Sequence, residues 1–86
     1  MKEIERIVKA LANRRRLAIL KCLKHQREAS VGQIADQIKL SLKATSKHLN
    51  LLAHADLVDK EQRSLTVFYR LNPNQRTFVK SLINEL

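Results

Sequence analysis

Residues that break regular structure are almost missing from this 86-residue chain: Gly32 and Pro73 are its single glycine and single proline. So few interruptions exclude a loop-rich architecture and make helices joined by short turns the default. Cysteine is as scarce. Cys22 stands alone, so no disulfide forms within the chain and a reducing compartment is its natural setting. Aromatics make up 3% of residues, which hands the core to Leu, Ile, Val and Ala. No apolar run approaches the roughly 20 residues of a membrane span. Met1–Ala12 mixes charged with apolar residues and carries no signal-peptide core. These absences predict a soluble cytoplasmic protein of one domain, residues 1–86, with no membrane partner.

Negative charge is also in short supply. Seventeen Lys and Arg face eight Asp and Glu, a formal net charge of +9. An excess of this sign favours a polyanionic partner, usually nucleic acid. Catalytic furniture is missing: there is no nucleophile–base pair, no paired carboxylates and no Gly-rich phosphate loop. One Cys and three scattered His do not make the ligand cluster of a transition-metal site. The expectation is therefore no enzyme, no metal and no cofactor.

Hydrophobic periodicity supplies what is present. Ile4, Ile7, Val8 and Leu11 recur at helical spacing over residues 3–12. Asn13 is a candidate N-cap for a second helix from about Arg14 to His25, with Leu17, Ile19, Leu20 and Leu23 inward. Gln26–Ala29 reads as a polar loop. Ser30 and Gln33 have the spacing of a capping box, opening a short helix with Val31, Ile34, Ala35 and Ile38 inward. After a turn at Lys39–Leu40, Ser41 caps a fourth helix running to about Ala55. Two short helices joined by such a turn are a helix-turn-helix.

Beyond Asp56 the period changes to two. Leu65, Val67, Tyr69 and Leu71 alternate with Thr66, Phe68 and Arg70, a half-buried strand. Leu57–Glu61 would pair with it, the tip falling near Gln62–Ser64. Asn72 as N-cap and Pro73 at the first helical position predict a last helix over 73–86, with Phe78, Val79, Leu82, Ile83 and Leu86 along one stripe. The fold class is mainly α with a small β-hairpin: a winged helix-turn-helix.

The fourth helix sorts into two faces. Leu42, Thr45, Leu49 and Leu52 fall together as the anchoring side. Lys43, Lys47, Asn50 and His54 fall opposite, flanked by Ala44 and Ser46. Lys reaches guanine acceptors or phosphates, Asn pairs with adenine and Ser bonds to either, so this face suits the major groove of double-stranded DNA. His48 lies on the flank, where a DNA-backbone contact and packing beneath the helix are both open. Ser41 can cap the helix and donate to a phosphate. Arg63, near the hairpin tip, is the candidate minor-groove or phosphate contact of the wing. The DNA-binding set is thus Ser41, Lys43, Ser46, Lys47, His48, Asn50 and Arg63. Arg14, Arg15 and Arg16 crowd a helix N-terminus against its dipole, a cost that phosphates would offset. The same scaffold could instead serve as a protein-interaction module, which would bind through apolar surface and survive high salt.

Several stretches carry a resemblance: Ala10-Leu11-Ala12-Asn13 through Arg16-Leu17-Ala18-Ile19-Leu20, Ser30-Val31-Gly32-Gln33-Ile34-Ala35, Ser46-Lys47-His48-Leu49-Asn50-Leu51-Leu52, Leu57-Val58, and Val67-Phe68-Tyr69-Arg70-Leu71. Together they resemble the ArsR/SmtB family of repressors over nearly the whole chain. The resemblance implies a homodimeric winged-helix repressor in the prokaryotic cytoplasm, associated with the nucleoid and reading a short inverted repeat. It also implies two metal sites that the residues do not match. One uses a Cys-x-Cys pair where this chain has Ser30 and Gly32. The other uses Asp and His on the last helix, where Arg76–Leu86 has neither. Asp56 and Ser64 stand where the family commonly has glycine. Cys22 reads as a buried structural thiol. The apolar stripes of the terminal helices, Ile4, Ile7, Val8, Leu11, Phe78, Val79, Leu82, Ile83 and Leu86, form the expected dimer interface.

Overall fold

A computed structural model describes residues 1–86, and three of its helices start at local side-chain hydrogen bonds. Asn13 is extended, and its Oδ1 accepts from the backbone N–H of Arg15 and Arg16 at 2.9 and 3.1 Å. It separates α1 (Lys2–Leu11) from α2 (Arg14–Gln26). Ser30 Oγ accepts from Gln33 N at 3.2 Å while Gln33 Oε1 accepts from Ser30 N at 2.9 Å, and this reciprocal pair opens α3 (Val31–Ile38). Lys39 turns the chain with φ 57°, and Ser41 Oγ accepts from Ala44 N at 3.1 Å to start α4 (Leu42–His54). Each of these caps satisfies helix donors that would otherwise lack partners.

The wing is a three-stranded antiparallel sheet. β2 (Val58–Arg63) and β3 (Thr66–Leu71) form the hairpin, with Arg63 opposite Thr66. Its two-residue turn is Ser64–Leu65, so the tip falls later than expected and Leu65 is not a strand residue. Leu65 is 95% exposed, and the inward set is Val67, Tyr69 and Leu71. The expected loop before α3 contains β1 (Ala29–Ser30), which pairs with β3 through Ala29–Tyr69 and Ser30–Phe68. Ala29 has so little side chain that the backbones close up, and it is fully buried.

The last helix starts later than Pro73 suggests: α5 spans Thr77–Asn84, with Arg76 at its N-cap position. Asn72 does not cap it. Its Oδ1 accepts from Asn74 N at 2.7 Å and its Nδ2 donates to Asp59 Oδ1 at 3.0 Å, a local turn tied to β2. Gln75 Nε2 then lies within 3.2 Å of the carbonyls of Asp56, Leu57 and Asn72. That side chain fills the corner where α4, β2 and β3 end, and it holds residues 72–76 out of the helix.

Ile19, Leu20, Leu23, Ile34, Leu49, Leu52, Leu57 and Val79 fill the core, fully buried. They are aliphatic, as the composition requires. Leu42 departs from its expected anchoring role and is 58% exposed, because the first turn of α4 runs past the edge of the core.

Candidate nucleic-acid interface

The sequence of α4 fixes which side it shows. Thr45, Leu49 and Leu52 are buried against α2 and α3, which leaves Lys43, Lys47, Asn50 and His54 exposed on the other side, with Ala44 and Ser46 half-buried at its margin. Ser41 is exposed at the helix start. The structure therefore puts Lys43, Lys47 and Asn50 on one basic, polar strip, with Ser46 at its margin and Ser41 at the helix start. Short side chains between long ones let the helix approach a groove floor closely.

His48 does not stand free. Its Nδ1 is 3.2 Å from Arg16 Nη1, and the ring is half-buried. Burial, then the charges of Arg16 and Arg15, push the imidazole below its ordinary value, so it is neutral at pH 7. The triple-arginine run is also partly spent within the chain. Arg16 donates to the carbonyls of Ala10 and Lys9 at 2.6 and 3.1 Å, and Arg15 donates to Ile38 O at 3.2 Å. These guanidiniums sit on the carbonyl ends of α1 and α3, where a cation is favoured. The dipole cost expected at the start of α2 is thus offset by protein carbonyls as well as by any phosphate. Arg6 does the same for α4, donating to His54 O at 3.2 Å.

Arg63 is not brought to the strip. It bonds to Glu28, lies 3.5 Å from Glu61 and stacks on the ring of Phe68. Arg70 Nη1 joins the same cluster at 3.1 Å from Glu61. Glu61 sits below the usual carboxylate range, first through its hydrogen bond from Arg70 and then through the charge of Arg63. Sequence reading missed Glu28, because a partner 35 positions away leaves no local mark.

Among the residues expected at a dimer interface, Leu11, Val79 and Ile83 are buried within the chain and have no area left to offer. Ile7, Leu82 and Leu86 are half-buried against the core. Ile4, Val8 and Phe78 keep 38%, 49% and 40% of their surface exposed. Arg76 Nη2 donates to Glu3 Oε2 at 3.2 Å and ties the starts of α5 and α1. No group of three or more His, Cys, Asp or Glu is gathered to hold a metal ion. Ser30 is a cap and Gly32 lies in the first turn of α3. Cys22 is buried, its thiol donates to Gln37 Oε1 at 3.0 Å, and burial pushes its pKa up.

Comparison with known proteins agrees with this geometry. Residues 11–61 match the family model described as a helix-turn-helix domain. The chain is 40% identical over 80 residues to the transcriptional activator HlyU of Vibrio cholerae, covering 93% of this chain and 70% of that protein. The structure of reduced HlyU from the same species superposes with a TM-score of 0.82 at 39% identity, covering 99% of this chain and 85% of that one. The homodimeric winged helix-turn-helix DNA-binding domain of Mb0332 from Mycobacterium bovis, described as a possible ArsR-family regulator, superposes with a TM-score of 0.82 at 32% identity, over 98% of this chain and 74% of that one. The fold and the exposed basic helix define a DNA-binding transcriptional regulator, not an enzyme. Within that class, the chain belongs to the ArsR/SmtB-like family of winged helix-turn-helix regulators.

Proposed function

We propose that residues 1–86 form one domain that binds duplex DNA as a homodimer, α1 and α5 joining two copies and each α4 entering a major groove. The observation that carries this reading is the strip on α4: Lys43, Lys47 and Asn50 exposed, with Thr45, Leu49 and Leu52 locking the opposite side. Asn50 and Lys43 address base edges, Ser41 and Lys47 address phosphates, and exposed Leu42 offers an apolar surface to a thymine methyl. Two such helices about 34 Å apart match successive turns of the duplex, which favours a short inverted repeat. Ile4, Val8 and Phe78 supply the exposed part of the dimer contact. The site of action is nucleoid DNA in the cytoplasm.

Repression follows where the operator overlaps a promoter. The name given to HlyU assigns activation to a relative with this scaffold. The test is a gel-shift titration on a duplex selected from a random pool. Lys43→Ala with Lys47→Ala removes two cationic contacts, and losing phosphate contacts flattens the salt dependence by about 0.9 log units per contact. Unchanged affinity and slope in the double variant would reject α4 as the DNA-contacting helix.

A further inference from the structure

Arg16 joins three helices. It belongs to α2, its Nε and Nη2 hold the Ala10 and Lys9 carbonyls at the end of α1, and its Nη1 meets His48 Nδ1 on α4 at 3.2 Å. The chemistry of that last contact is one-sided. A guanidinium has donors and no acceptor, so it bonds to Nδ1 only through that nitrogen's lone pair. Nδ1 therefore carries no proton, the ring is neutral, and its single N–H is on Nε2. The other tautomer, or an imidazolium, would set N–H against N–H. Arg15, fixed on Ile38 O at 3.2 Å, adds a second positive charge that opposes protonation.

We propose that Arg16 is a positioning residue for DNA recognition: it locks His48 as an Nε2–H donor on the flank of α4 and ties that donor to the end of α1. The inference rests on α4 being the DNA-contacting helix. A neutral N–H on the residue that follows Lys47 would suit a phosphate oxygen, and the lock spares it the choice between tautomers at the moment of binding. Because the same guanidinium grips α1, a change in how α1 packs against a second copy is felt at His48. A cap for α1 alone would need only the two carbonyl contacts. The third contact is what sets the tautomer.

Nitrogen-15 NMR of the labelled full chain, without DNA and at neutral pH, reads the tautomer directly. The wild type is expected to show a protonated Nε2 and a bare Nδ1. Arg16→Lys, which keeps the charge and loses the fork, is expected to show a tautomer mixture. An Nδ1–H ring in the wild type would overturn the proposal whatever the DNA results.

The second arm measures affinity for a duplex selected from a random pool by the wild type. His48→Asn keeps an acceptor at the Nδ1 position and lacks the Nε2 donor, so it should melt like the wild type and bind roughly tenfold more weakly, the worth of about one hydrogen bond. Arg16→Lys should lose about twofold alone, as the fraction of rings left in the competent tautomer dictates, and nothing more when added to His48→Asn. Additive losses would show that Arg16 acts only through the fold, and they would also overturn the proposal. Failure of the Lys43/Lys47 double variant to weaken binding would instead reject the α4 reading, while the tautomer in free protein would stand or fall separately.

Discussion

The Arg63 guanidinium lies over the ring of Phe68, 4.3 Å from its centroid, and is held there by Glu28 from the segment before β1. The wing's arginine therefore faces its own protein. An exposed ion pair of this kind is weakened by solvent screening, so a phosphate can compete for the guanidinium once a carboxylate is removed. Glu28→Gln is expected to tighten DNA binding severalfold at low salt and to steepen log K against log salt by about 0.9, one added phosphate contact. Anisotropy titrations at several salt concentrations measure both. An unchanged slope would mean that Arg63 stays on Phe68 in the complex.

Thr45 raises a different expectation. It is fully buried and its Oγ1 has no hydrogen-bond partner. A desolvated hydroxyl without a partner costs about 1–3 kcal/mol. Thr45→Val exchanges that hydroxyl for a methyl of similar size and should raise unfolding stability by about 1 kcal/mol. Urea denaturation checks it, with a lower midpoint as the refuting result.

Left-handed backbone is occupied here by residues with side chains. Arg27, Lys39, Asp56 and Ser64 have φ between 57° and 62°, whereas Gly32 lies in α3. A Cβ on Gly32 would come no nearer than 3.9 Å, to Ser30 Oγ. Gly32→Ala should therefore stabilise by about 0.5 kcal/mol, and Lys39→Gly by up to about 1 kcal/mol through relief of the left-handed strain. Thermal melts of the two variants and their combination test this, and independent sites should add.

His48 gives the pH dependence. Its pKa in the folded chain lies below the ordinary 6.5, through burial first and then the charges of Arg16 and Arg15. The unfolded chain therefore binds the proton more readily. The stabilising contribution is complete above pH 6.5 and is lost as pH falls from there through the folded value. Denaturation midpoints across pH 5–8 should show this decline, and His48→Asn should flatten it.

The terminal helices offer a contrast between two aromatic and aliphatic neighbours in sequence. Phe78 is 40% exposed while Val79 is fully buried. Phe78→Asp should yield a folded monomer in sedimentation, because it charges only the outer surface. Val79→Asp should unfold the chain, because an unpaired carboxylate in the core costs several kcal/mol. A Phe78→Asp dimer of unchanged affinity would remove α5 from the interface.

What the sequence disclosed was what neighbouring residues decide. Asn13, Ser41 and the Ser30–Gln33 pair cap helices with bonds that span three residues or fewer, so their spacing is readable directly. The inward face of β3 was legible for the same reason, Leu65 apart, whereas Asp56 and Ser64, both left-handed, were marked only by the resemblance, as positions where the family commonly has glycine. What escaped was set by distant partners. β1 exists because β3 lies alongside it, some forty positions later. Pro73 has the composition of a helix start, but Gln75 finds three carbonyls outside the helix and postpones it. Leu42 fits the anchoring period of α4, yet the core ends beneath it. In the candidate site, the exposed face of α4 was identifiable from periodicity, and the pairing of Arg63 with Glu28 was not, because Glu28 lies outside the hairpin.

The two residues of β1 have a mechanical consequence. They hydrogen-bond the wing to the segment from which α3 starts, so hairpin and helix pair share one sheet edge and tilt together. A protomer built this way works as a single jaw of a caliper. In the dimer proposed above, adjustment to operators of different spacing would then fall to the joint between the two jaws.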